Sequence, residues 1–223
     1  MENIANKTAV LKGGEFIVRE SQPEETFIPE ELNEEQKMAG QMTQDFLDQE
    51  VYPNVQKIEA QAENFSVQLL EKAGTLGLLG SHMPAEYGGT ELDTHTNTII
   101  SYVLGPAGSF STTITAHTGI GMLPILYFGT EAQKQKYLPK LITGEMKASY
   151  CLTEPGSGSD ALSAKTRADL SPDGTHYLLN GQKMWITNAG FADIFIVFAQ
   201  VEGNKFTCFI VERGAPGLTF GAE

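Results

Sequence analysis

The sequence predicts an α+β protein, with an N-terminal α-helical bundle followed by an antiparallel β domain. Up to about residue 147 the apolar residues recur at helical spacing between capping signals; from residue 148 the period drops to two. The 223-residue length and a hydrophobic content of 41% are enough for one large or two modest globular domains. The division that follows is an extended N-terminal segment over 1–31, a helical domain over 32–147 and a β domain over 148–223.

Asn33, followed by Glu34, Glu35 and Gln36, reads as a helix N-cap with acids in the first turn and an amide at the third position. Met38, Ala39, Met42, Phe46 and Leu47 then follow the helical period, and Pro53 ends or kinks the run. A second helix is expected in SVQLLEKAGTLGLLG, with Leu69, Leu70, Ala73 and Leu76 on one face. PAEYGGTEL reads as a loop through its Pro and Gly-Gly. DTHTNTIISYVL comes next, then a stretch rich in small residues. Thr130 with Gln133 forms a further capping box opening EAQKQKYLPKLITGE.

In the second half, ASYCLT reads as a strand leaving the helical domain. In LSAKTRADL, residues Leu162, Ala164, Thr166, Ala168 and Leu170 alternate with polar ones, as in a half-buried strand. SPDG turns the chain into the strand THYLL. Asn180-Gly181 signals a two-residue hairpin with QKMWIT as the returning strand. NAG turns again. DIFIVFAQV, NKFTCFIVE and LTF complete the strands.

The formal net charge of −13 argues against nucleic acid and against an anionic membrane surface, both of which need clustered Lys and Arg. Its simplest effect is solubility. The two cysteines, Cys151 and Cys208, are far apart without CxxC spacing, so a disulfide scaffold or zinc site is not expected. The start MENIANKTAVLKGGEF has neither the basic n-region and apolar core of a secretory signal nor the Arg content of a transit peptide. With no apolar run of membrane-spanning length, the expected location is cytoplasmic. The four histidines, His82, His95, His117 and His176, show no ligand spacing, and no metal is expected.

Gly156-x-Gly158-x-x-Ala161 satisfies the dinucleotide fingerprint as a string. The fingerprint works only where a helix N-terminus follows to hold the pyrophosphate. An alternating strand is expected here instead, so the Rossmann reading is rejected. What remains is the segment ASYCLT, ending in Thr-Glu-Pro and a glycine-serine loop, and a few strands later KMWITNAG with the chain's single Trp. Together they suit a wall for a flat, partly polar ring: hydroxyls of Thr153 and Thr187 and strand amides along an edge, Trp185 over a face. Trp185 as a core anchor and the serine-glycine run as a plain loop fit the spacing equally.

YCLTEPGSGSD and GQKMWITNAG resemble the two signature segments of the acyl-CoA dehydrogenase family, flavoproteins that oxidise acyl-CoA thioesters at the α,β position. LGLLGSHMPAEYGG, FGTEAQKQKYLPKLITGE and FIVERGAPGL agree in order and distance, so the resemblance runs from about residue 32 to the end. TAHTGIGMLPILYFGT and FIVERGAPG are most similar to the long- and very-long-chain branch. The resemblance implies a helical domain, a β domain and a C-terminal helical bundle, the last absent from these residues, around flavin adenine dinucleotide (FAD). It places Tyr150, Cys151, Leu152, Thr153, Gly158, Ser159, Trp185, Ile186 and Thr187 at the cofactor. Thr153 falls on the pyrimidine side of the ring, Thr187 near flavin N5, and Ser159 where cofactor and substrate contacts meet.

Glu154 and Asp160 look structural, and His117 resembles a position in the helical wall near the acyl chain. The resemblance also implies that a carboxylate removing the α-proton lies beyond Glu223, so that these residues alone are an incomplete, inactive part of the enzyme. Further implications are an acyl-CoA substrate, a trans-2-enoyl-CoA product within β-oxidation, an electron-transfer flavoprotein as acceptor, and a homo-oligomer. An acyl-CoA oxidase, or a non-catalytic binding or assembly module on the same scaffold, are the alternatives.

Overall fold

The structure is a computed structural model that describes residue 11 and residues 13–203 and 205–221. The first ten residues of the expected extended segment, and Glu223, lie outside them. Over residues 13–31 the chain carries the short helix α1 (Glu15–Val18) and two 3-10 turns, Pro23–Glu25 and Pro29–Glu31, between irregular stretches.

Helix α2 (Glu34–Phe46) opens on the expected box. The Asn33 side chain accepts from Gln36 N at 2.8 Å while Gln36 Oε1 accepts from Asn33 N at 3.0 Å. The helix widens into a π turn over Leu47–Val51 and tightens to a 3-10 turn, Tyr52–Asn54, at Pro53. Phe46 and Leu47 are buried as expected, but Met38 is exposed. After α3 (Val55–Glu59), α4 (Phe65–Thr75) buries Leu69, Leu70 and Ala73. This helix is shorter than its periodicity implies. Gly77 takes φ 78°, a left-handed conformation that ends a helix. Leu76 is consequently exposed, and Leu78 and Leu79 enter the core from a 3-10 turn.

Four helices complete this half: α5 (Thr94–Leu104), α6 (Ser109–Thr115), α7 (Leu123–Phe128) and α8 (Glu131–Thr143). The α8 box forms, with Gln133 Oε1 accepting from Thr130 N at 2.8 Å. None of the described helices is long and apolar enough to cross a membrane.

The strands are β1 (Ala148–Cys151), β2 (Arg167–Leu170), β3 (Tyr177–Asn180), β4 (Ile194–Val201) and β5 (Lys205–Glu212). They form one mixed sheet, not the wholly antiparallel one expected. β2/β3 and β4/β5 are antiparallel, whereas β1 and β2 run parallel to β4. β1 pairs with the first half of β4 and β2 with Gln200 and Val201. β4 is therefore central, which its near-continuous apolar run IFIVFAQV fits better than alternation would.

Three further strand expectations are corrected. The Asn180-Gly181 hairpin and its return strand do not form. The hairpin lies one turn earlier, at SPDG, where Gly174 N donates to Ser171 O and Gly174 takes φ 70°. Gly181 serves close approach instead, because a Cβ there would lie 2.3 Å from Thr166 Oγ1. Residues 182–187 are irregular, and so is LTF. In LSAKTRADL the alternation buries Ala164, Thr166 and Ala168 only; Leu162 and Leu170 are exposed, with a 3-10 turn at Ala161–Ser163. That turn also removes the helix the dinucleotide fingerprint would need.

The two halves share a core. Met122, Ile125, Leu138 and Leu141 from the helices pack with Ala148, Ile194 and Ile196 from the sheet. At this joint α6 runs into a π turn, Ala116–Gly121, lying on β1. Gly121 permits the approach, since a Cβ there would sit 2.7 Å from that of Ala148. His117 is fully buried at the joint. Its Nε2 donates to Leu141 O at 2.9 Å, and its Nδ1 accepts from Ala148 N at 3.1 Å. Both ring nitrogens are thus occupied by backbone, which makes it a packing histidine.

Burial pushes the His117 pKa from 6.5 down to about 4, outweighing the bond to Leu141 O that favours the charged form. Between those values the unfolded chain binds the proton that the folded chain refuses. Stability therefore falls as pH drops from about 6.5 toward 4, by on the order of 3 kcal/mol in total. His117→Leu is expected to flatten this slope. At pH 7 it costs about 1–3 kcal/mol, because Leu141 O and Ala148 N lose their partner. Urea unfolding at pH 7 and pH 5 measures both; an unchanged slope in the variant refutes the assignment.

Candidate cofactor site

Segments 149–154 and 183–187 lie side by side in opposite directions. Ser149 Oγ donates to Thr187 O at 2.6 Å, and Met184 N donates to Thr153 O at 2.9 Å. Between these bonds Cys151 and Ile186 share an apolar cluster with Ala192 and Phe195. The pairing is made outside any regular ladder, so side chains carry much of it.

The chief of these is Glu154, which is only 7% exposed. Its carboxylate accepts from Lys165 N at 2.6 Å, Thr166 N at 3.0 Å and Lys183 Nζ at 2.8 Å. Lys183 Nζ also donates to Leu152 O at 3.1 Å. Burial alone would push the Glu154 carboxyl up. The Lys183 ammonium and the groups of Thr166 and Lys165 outweigh that and hold it at about 2. Glu154 is thus a tie between three stretches of chain that is charged at neutral pH, in line with the structural role expected of it. It is also the only carboxylate within residues 149–159 and 183–190.

Trp185 has φ 59° and is 84% exposed. A bulky side chain in the left-handed region is a true outlier, and an exposed indole there excludes the core-anchor reading. Thr153 and Thr187 are half-buried, and neither hydroxyl has a hydrogen-bond partner among the described residues. Two hydroxyls without a partner and an exposed indole, all carried on the same pair of segments, are a donor set suited to a flat ring with a polar edge. Such a ring gains most from fixed donors when negative charge develops on it.

The other expected residues divide. Tyr150 packs on Phe198, with ring centroids 5.0 Å apart, in the core shared with the helices; Cys151 points to the opposite face of β1, toward Ile186. Burial pushes the Cys151 thiol up to about 12, so it is a small packing group and not a nucleophile. Gly158 and Ser159 are exposed in the loop beyond a paired turn, where Glu154 N donates to Ser157 O and Ser157 N to Glu154 O. No hydrogen bond among the described residues joins Ser159 to 183–187. Asp160 orders the loop, its backbone carbonyl accepting from Ser157 Oγ and its carboxylate from Ser163 Oγ.

Sequence reasoning missed three residues of the framework. Lys183 and Asn188 fall inside the quoted motif but lack a charge pattern or spacing that marks them. Arg213 donates to the carbonyls of Ala189 and Ala192 and stacks on Phe220 at 4.3 Å, closing the far end of the loop. Two concavities lie elsewhere. One of about 330 Å³ includes Lys136, Lys140 and Arg213; one of about 570 Å³ lies between α2 and α4. Neither is lined by the two paired segments. Among the described residues no cluster of His, Cys, Asp and Glu could hold a metal ion.

Residues 33–145 match the model of the acyl-CoA dehydrogenase N-terminal domain, and residues 149–223 that of the acyl-CoA dehydrogenase middle domain. A probable acyl-CoA dehydrogenase of Bacillus subtilis is 51% identical over 221 residues, covering 99% of this chain and 37% of that protein. The human mitochondrial very long-chain specific acyl-CoA dehydrogenase is 42% identical over 211 residues, covering 86% of this chain and 31% of that protein. A crystal structure of an acyl-CoA dehydrogenase complexed with FAD from Bacillus anthracis superposes with a TM-score of 0.91 at 50% identity. It covers 96% of this chain and 37% of its own. This chain therefore spans about a third of the length of these relatives.

Removing Lys183 strands the buried Glu154 carboxylate. Lys183→Met is expected to destabilise the chain by about 3–5 kcal/mol at pH 7, the usual cost of breaking a buried ion pair from one side. Because the folded pKa lies below the unfolded value of 4.5, Glu154's stabilisation is full above about pH 4.5 and is lost as pH falls toward 2. Denaturant midpoints for wild type, K183M and the double variant K183M/E154Q test this. A double variant no more stable than K183M would contradict it.

Proposed function

The chain belongs to the acyl-CoA dehydrogenase family, and from that premise we propose that it is the helical and central β portion of an FAD-dependent enzyme. The proposed reaction converts a fatty acyl-CoA to its trans-2-enoyl-CoA within fatty-acid β-oxidation. The observation that carries this reading is the donor set on the paired segments, which together present two threonine hydroxyls without a partner and an exposed indole. The division at residues 147 and 148 is read as the boundary between the helical domain and the flavin-binding β domain.

A flavin held there would supply the hydride acceptor for the β-carbon of the acyl thioester. The chain's own residues bind and orient. Thr153 and Thr187 donate to the polar edge of the ring system, Trp185 covers a face, and Cys151 and Ile186 supply the apolar packing behind. Gly158 and Ser159 take the more distal part of the cofactor and the neighbouring portion of the CoA. Tyr150, turned into the shared core, acts by holding β1 in place. Glu154 cannot serve as the base, since three donors and a pKa of about 2 leave it no affinity for a proton at neutral pH. We assign the α-proton to a carboxylate outside the two segments, beyond Glu223. Electron-transfer flavoprotein as acceptor, a homo-oligomeric assembly and a cytoplasmic location complete the proposal.

The test is anaerobic mixing of the full-length, flavin-loaded protein with acyl-CoAs of graded length, following the flavin absorbance. Bleaching by an acyl-CoA supports the proposal; a protein that takes up no flavin, or is not bleached by any acyl-CoA, refutes it. Peroxide formed on admitting air at the rate of turnover would reassign it as an oxidase. Thr187→Val is expected to retain flavin but to slow bleaching about a hundredfold, the usual loss for one donor to developing charge.

A further inference from the structure

The stretch Trp185–Asn188 begins and ends in the left-handed region, with φ 59° at Trp185 and 67° at Asn188. Asn tolerates that conformation; Trp does not. Something must hold the loop, and regular pairing does not, since residues 182–187 belong to no strand. Asn188 is 7% exposed. Its Nδ2 donates to Thr113 O in α6 at 3.0 Å and makes a longer contact, 3.5 Å, with Ala148 O in β1. Its backbone carbonyl accepts from Ala192 N at 2.8 Å. One side chain thus ties the end of the Trp-Ile-Thr stretch to a helix and a strand at once. Its Oδ1 is buried without a hydrogen-bond partner, so the native fold tolerates an unmet acceptor to keep the amide in place.

We propose that Asn188 is a positioning residue. Its side-chain amide fixes the orientation in which Trp185 and the Thr187 hydroxyl face the cofactor, by locking their loop to α6 and β1. This rests on the flavin reading above and adds to it the group that sets the geometry of the donor edge. The feature is specific to the amide. Asp retains the size and the left-handed tolerance but turns an acceptor toward two carbonyls. Gly adopts φ 67° freely but has no clamp.

Trp185 is the only Trp among the 223 residues, so its fluorescence anisotropy in this chain reports the loop without any cofactor. Asn188→Gly and Asn188→Asp are expected to lower that anisotropy while far-UV dichroism stays at the wild-type value. In the flavin-loaded full-length protein both are expected to cut the rate of flavin reduction at least tenfold and to shift the flavin absorption maximum, with KM within about threefold. Unchanged anisotropy in the folded N188G chain overturns the clamp. Lowered anisotropy with an unchanged reduction rate and flavin spectrum overturns the positioning role. If wild-type protein takes up no flavin, it is the functional reading that fails; the anisotropy comparison still decides whether Asn188 holds the loop.

Discussion

The candidate site depends on one buried charge. β1 ends at Cys151 and residues 182–187 form no strand, so main-chain pairing alone does not hold the two signature segments against each other. The Glu154 carboxylate supplies what the ladder lacks. Three donors from positions 165, 166 and 183 converge on it, and Lys183 reaches past it to the carbonyl of Leu152. A buried carboxylate persists only when fully satisfied. The requirement that stabilises Glu154 therefore also fixes where Thr153, Met184 and Trp185 must lie.

The second constraint is the joint between helices and sheet. The π turn at Ala116–Gly121 brings His117 and Gly121 onto the first residue of β1, and the neutral imidazole bridges backbone groups of β1 and α8. Lys147 adds a tie: its backbone amide donates to Asp193 at 2.7 Å and its ammonium pairs with Glu71 at 2.8 Å. Helical wall and β wall thus meet in a single, well-packed core. The segments of the candidate site are held rigidly against the helices because neither half can move without exposing that core.

Much of this was legible in the chain. Capping boxes at Asn33 and Thr130, and the run IFIVFAQV, each have a local physical cause, and each element formed where that cause placed it. The failures share a different origin. Asn180-Gly181 carries the composition of a tight turn, yet Gly181 is small because Thr166 presses on it. Met38 and Leu76 carry the helical period but fall at the edge of the packed face. The parallel placement of β1 and β2 on β4 leaves no mark in either strand, because period two is the same in both orientations. Within the site, the motif segments could be located from the string, while the alternation along β1 sends Tyr150 and Cys151 to opposite faces.

By itself, then, the sequence determined the helix-to-strand switch, the caps and the apolar central strand, since these follow from periodicity and side-chain type over a few residues, and it located the two signature segments by their resemblance to the family. The tertiary structure alone decided the mixed sheet, the charged tie at Glu154 and the exposed, left-handed Trp185. Those arise where residues far apart in the chain compete for the same buried space and the same hydrogen-bond partners, and local pattern holds no record of that competition.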